Sequence, residues 1–360
     1  MRAERLNRRS HLRRGAVKPE GEITLYDLTG AAAPQGETAK LADMGFPEAM
    51  SHEMIAALPF SFETTADVMI WAAAILGESP TGRALWREAV GQGWSAGLAD
   101  LRTGGFHIDV PRKEILLDHF ALTAQALGRS AYFRNTMLMS LVRALRDVWQ
   151  EFRFGPAETR HHPEDVLTIE RVRAADADTL SVLVGWELRA AGHSDVWRHL
   201  IGSSEGDMAQ VFTRFLERDP SALFSGAALA YAFRQWYADE SRVDAVDHET
   251  LETLDDLLLA SESKRPFGRE EIDAEMIEDI STLPDDICYL AGMGAAILRD
   301  PFFAGLHDPI NQTHLFHIMY DMEVVMVNEV PFRDPYLARR IFPQGEILEP
   351  EPAAPLESEG

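Results

Sequence analysis

SAYFRNTMLMSLVRALRDVWQEFRFG, residues 130–155, and EDVLTIERVRAADADTLSVLVGWELRAA, residues 164–191, decide how this chain is read. Ser130 can cap a helix that runs to about Glu151, and Gly155-Pro156 stops it. Wound at about 100° per residue, Phe133, Met137, Leu141, Leu145, Val148, Trp149 and Phe152 cover one broad face. Arg143 and Asp147 lie one turn apart on the opposite side, the spacing of a solvated ion pair. The second stretch predicts a helix from about Glu164 to Ala191, ended by Gly192. Val166, Ile169, Val172, Leu180, Leu183 and Val184 share one face of it, and Asp176 and Glu187 project into that face. A carboxylate on a core-facing stripe must meet a cation, meet donors or take up a proton, because burying it unpaired is costly. Each acid therefore either pairs with a nearby arginine or forms the polar floor of a cleft facing the preceding helix.

Upstream, helices are expected over Thr64–Leu76 and Thr81–Val90. Trp94–Leu101, Phe106–Val110 and Glu114–Asp118 then read as three short strands in a meander, with Pro111-Arg112-Lys113 as the hairpin turn. Downstream the pattern is helical, at 205–218, 225–240, 247–260, 270–281, 286–299 and 310–327, with prolines between or at the edges. The expected fold is α+β and mostly α: a small antiparallel sheet, a central helix, and a helical C-terminal region. The expected divisions are a basic disordered arm (1–20), the sheet with the central helix (21–155), a helical region packed on it as one cooperative body (156–343), and a disordered acidic tail (344–360).

The 360 residues carry a net charge of −24, which disfavours general binding to nucleic acid or to anionic membranes. The charge is uneven. Residues 1–18 hold six arginines and Lys18 against Glu4 alone, a net +6, so the rest of the chain carries −30. Such an arm could fold back on the acidic body or touch an acidic partner. No run of about 18 apolar residues marks a membrane span, and the arm lacks the apolar core of a secretory signal. Cys288 is the one cysteine, which rules out an intrachain disulfide and a cysteine-based zinc site and fits a reducing cytoplasm.

The order of helix, small meander, a helix containing Leu145-Arg146-x-x-Trp149-Gln150, and a long acid-bearing helix resembles a group of uncharacterised bacterial proteins described as carrying a metallopeptidase domain of the zincin type. The resemblance covers about 90–190 and extends towards 340. In that group the central helix reads His-Glu-Leu-Arg-His-x-Trp-Gln. Two histidines one turn apart bind zinc, the glutamate acts on zinc-bound water, and an acid on the next helix is a third ligand. Leu145, Arg146, Trp149 and Gln150 agree with this pattern, and Asp176 falls at the third-ligand position. Arg143 stands at the first histidine, Ala144 at the glutamate and Asp147 at the second histidine. A guanidinium offers no lone pair to zinc, and alanine moves no proton. The resemblance therefore implies a metallopeptidase-like protein that has lost catalysis, binds no cofactor, and acts as a binding or regulatory module for an unidentified protein or peptide partner. Its expected pocket is Arg143, Asp147, Asp176 and Glu187, with the Arg143 guanidinium neutralising Asp147 and Asp176 in place of a metal.

The alternative is an active hydrolase with other zinc ligands. His314, His317 and Asp321, at i, i+3 and i+7, line one edge of a helix and are the best surviving set. No intact HExxH occurs: His52-Glu53 is followed by Ala56, and His248-Glu249 by Glu252. Neither a phosphate loop nor a nucleophile elbow is present.

Overall fold

A computed structural model describes residues 36–44, 62–102, 105–261, 266–323, 325–327, 330–332, 340–341 and 347–348. The basic arm, His52-Glu53 and most of the 344–360 tail lie outside these residues.

The chain enters through strand β1 (Glu37–Lys40) and a single turn, α1 (Leu41–Met44). Helices α2 (Thr65–Leu76) and α3 (Pro80–Gly91) follow. Thr64 caps α2 with a full capping box to Asp67, and Ser79 caps α3 ahead of Pro80. Strands β2 (Ser95–Ala99), β3 (Phe106–Asp109) and β4 (Glu114–Asp118) come next.

The expected strands are present, but the sheet is mixed and is not a meander. Its order is β1-β2-β4-β3. The Pro111–Lys113 turn joins β3 and β4 as an antiparallel hairpin, β1 pairs antiparallel with β2, and β2 runs parallel to β4. Strand β4 lies between β2 and β3 and is central, with Ile115, Leu116 and Leu117 all buried. Gly97 lets β1 approach closely, since a Cβ there would lie 2.1 Å from the Glu37 carbonyl oxygen.

The short helix α4 (Ala124–Arg129) leads into α5 (Ala131–Phe154), which Ser130 caps and Gly155 ends at φ 66°. Helix α5 packs on β3 and β4 on one side and on the long α6 (Pro163–Ala190) on the other. From Arg134 to Gln150 only Thr136 and Arg143 escape full burial, so the face bearing Arg143 and Asp147 is covered rather than solvated. Every residue of α6 from Ile169 to Gly185 is buried.

Helices α7 (Ser194–Ile201), α8 (Gly206–Arg218), α9 (Ala227–Tyr237), α10 (Glu240–Ala260), α11 (Ala274–Ile280), α12 (Gly294–Arg299), α13 (Pro301–Ala304) and α14 (Pro309–Glu323) complete the helical body. Among them α7, α8, α9, α10, α11 and α14 all touch α6. Strands β5 (Val325–Val327), β6 (Val330–Phe332) and β7 (Ile347–Leu348) form a second sheet, so part of the stretch expected to be a tail is paired with β5. Among the described residues no helix is long and apolar enough to cross a membrane.

Candidate functional site

Helices α5 and α6 pack antiparallel: Arg143 meets Asp178, Arg146 meets Asp176, and Gln150 reaches the Arg173 carbonyl. Each step along α5 therefore faces an earlier residue of α6. This register assigns a cation to Asp176 and another to Asp178, and the assignment differs from the sequence expectation. The guanidinium on Asp176 belongs to Arg146, not Arg143.

Asp176 and Arg146 are both 0% exposed. Asp176 Oδ2 accepts from Arg146 Nε at 2.6 Å and from Gln150 Nε2 at 2.6 Å. Its Oδ1 accepts from Arg146 Nη2 at 3.2 Å and from the Tyr289 hydroxyl at 2.7 Å. Burial first, and the Asp176 charge second, push the Tyr289 hydroxyl well above its ordinary range, so it stays protonated and donates. Arg146 Nη2 also donates to the Ile280 and Thr282 carbonyls at 2.7 and 3.0 Å. The Arg146 Cζ lies 3.9 Å from the centre of the Trp149 ring, whose face suits a cation.

Arg143 forms a second node. Its Nε donates to Asp178 Oδ1 at 2.7 Å and its Nη2 lies 3.0 Å from Glu205 Oε1. Burial alone would lower its pKa; the facing Glu205 and Asp178 outweigh that and hold it above its usual value. Trp236 Nε1 donates to Asp178 Oδ2 at 2.8 Å. His199 lies nearby, with its Nε2 3.3 Å from the Thr136 hydroxyl, and burial holds its ring below the ordinary histidine range. Asp147 is buried on the same helix one turn beyond Arg143, and Ala144 is fully buried.

Glu187, expected in the same pocket, is elsewhere. Eleven residues separate it from Asp176, about 16 Å of helix. It accepts from the Ser79 hydroxyl and from the Thr81 amide (3.0 Å) and hydroxyl (2.8 Å), closing the N-terminus of α3.

The set His314, His317 and Asp321 does not converge. His317 and Asp321 are exposed on α14, and His314 Nε2 faces Asp255 of α10 at 3.8 Å. Among the described residues no group of three histidine, cysteine, aspartate or glutamate side chains is arranged to hold a metal ion. His248 pairs with Glu252 at 3.3 Å on the surface of α10. Cys288 lies in a turn rather than the expected helix, and its Sγ donates to the Glu278 carbonyl at 3.1 Å.

Sequence reasoning gave no role to Asp178, Glu205, Trp236 or Tyr289 and matched Arg146 and Gln150 without assigning their partner. The signal available for Asp178 was the DAD run itself. On a helix buried all round, two acids about 200° apart must each find a partner on a different neighbour.

Residues 129–290 match a family model described as "Putative metallopeptidase family (DUF6782)". The matched stretch holds α5, α6 and both acid–arginine nodes and leaves out the four-stranded sheet. No curated protein and no solved structure matches the chain.

Zinc is the group such a likeness implies, and the residues present do not fit it. A carboxylate has about four lone-pair sites, and on Asp176 four protein donors point at them. At the two positions where the resemblance places histidines stand Arg143, which carries only donors, and Asp147.

Proposed function

We propose that this chain is a metallopeptidase-like protein that does not perform metal-dependent hydrolysis and acts instead as a binding or regulatory module. The observation that carries the reading is the saturation of Asp176 by Arg146, Gln150 and Tyr289 at full burial. Hydrolysis on zinc requires ligands with free lone pairs, an open coordination position and a base near the bound water. Arg143 and Ala144 supply none of these at their positions. Their neighbours supply neutrality and rigidity: Arg146 meets Asp176 through two bonds, and Arg143 bridges Asp178 and Glu205.

Fluorescein-labelled casein tests the reading. The purified chain, with and without added zinc, is expected to release no more label than buffer does. Release that needs zinc and disappears on Asp176→Asn would overturn the proposal, and release blocked by His314→Ala or His317→Ala would move the chemistry to α14.

A further inference from the structure

Helices α10 and α14 pack against each other, and beside them lies an open groove of about 530 Å³ lined by Pro309, Ile310, Thr313, His314 and His317. Ile310 on its floor is 71% exposed. The rim is acidic at both ends. Asp255 approaches His314 at 3.8 Å, and Glu252 and Asp256 crowd beside it. At the other end Asp308 caps α14 through the Ile310 and Asn311 amides, with Asp244 and Glu240 close by. Burial first, then these like charges, raise the carboxyls of Asp244 and Asp256.

Among the described residues the bases at the groove and its rim are His248, His307, His314 and His317, with the Arg171 guanidinium held by Asp247 behind Asp244. Like charges gathered at an apolar groove favour a basic, partly apolar occupant. This chain contains one: residues 1–18, net +6, with Leu6 and Leu12 among the arginines. Between Lys18 and Gly36 there is enough chain to span roughly 60 Å when extended, more than the ~50 Å diameter of a body of this size.

We propose that the groove beside α14 is the docking site of the chain's own basic arm, with Leu6 or Leu12 seated near Ile310 and the arginines on the acidic rim. This goes beyond the reading of the Asp176 node and is independent of it.

The test is photo-crosslinking of the full-length chain with p-benzoylphenylalanine at position 12. The expected product is an intrachain crosslink to 309–317 or to 252–259. Its yield should fall about fivefold on going from 0.05 to 0.5 M salt, and by a similar factor in the Asp255→Asn, Asp256→Asn double variant, whose circular dichroism should match the parent. Crosslinks that fall elsewhere on the body, join two chains only, or keep their yield in high salt and in the double variant would overturn the proposal.

Discussion

Arg146→Ala is expected to cost about 3–5 kcal/mol of stability, the range for removing one member of a buried pair. The variant leaves Asp176 at zero exposure with a full charge and only the neutral donors Gln150 and Tyr289. It also strips a donor from the Ile280 and Thr282 carbonyls, which fasten α11 and the following turn to the core. Urea denaturation followed by circular dichroism measures the loss. Asp176→Asn in the same background should recover part of it, because the stranded charge is gone. Arg146→Lys should not restore the parent, since an ammonium cannot serve both carboxylate oxygens and two carbonyls from one plane. A loss below about 1 kcal/mol, the scale of an exposed pair, would mean that Asp176 is not held as described.

Arg171→Ala comes next, with an expected loss of similar size, about 3–5 kcal/mol. Arg171 grips Asp247 of α10 with two parallel bonds of 2.5 and 2.7 Å and reaches the Phe303 carbonyl of α13 at 3.2 Å. Burial holds the Asp247 carboxyl above its ordinary range, and the Arg171 guanidinium offsets part of that push. Without Arg171 the upward pushes of burial and of Asp244 are opposed by His307 alone, so the stranded acid takes up a proton more readily. The variant should therefore lose the most stability at neutral pH and regain part of the difference as pH falls through the carboxylate range. Unfolding measured at pH 7 and at pH 5 checks both magnitude and sign. A deficit that grows towards pH 5 would contradict the pairing.

Much of the architecture was legible in the chain. Ser130, Gly155 and Gly192 marked ends of the two long helices, and the structure starts and stops them beside those residues, with the first running three residues past its expected end at Glu151. An acid in the middle of an apolar stripe announced that Asp176 needs a cation, and it has one. Which arginine supplies it was not legible. Arg143 and Arg146 are three residues apart on one helix, and only the antiparallel register with α6 distributes them between Asp178 and Asp176. Glu187 sits on the same stripe yet serves the start of α3, because a helix long enough to cross the whole body meets different neighbours at its two ends.

The sheet teaches the same lesson. Turn chemistry marked the β3–β4 hairpin, whereas nothing in the short strand patterns fixed which partner β2 would take. Helix α10 begins seven residues before its expected start because Asp239 caps it. The helix expected over 286–299 forms only at Gly294–Arg299. The turn before it bears Asp286 and Gly292 at positive φ and carries Tyr289 inward to Asp176.

Zinc content, read by elemental analysis on chain purified without chelators, bears most directly on whether arginine has taken over the electrostatic work of an ion at Asp176. The expected result is under about 0.1 equivalents of zinc per chain and a melting temperature unmoved by EDTA. Close to one equivalent, lost together with stability on chelation and absent from Asp176→Asn, would contradict it.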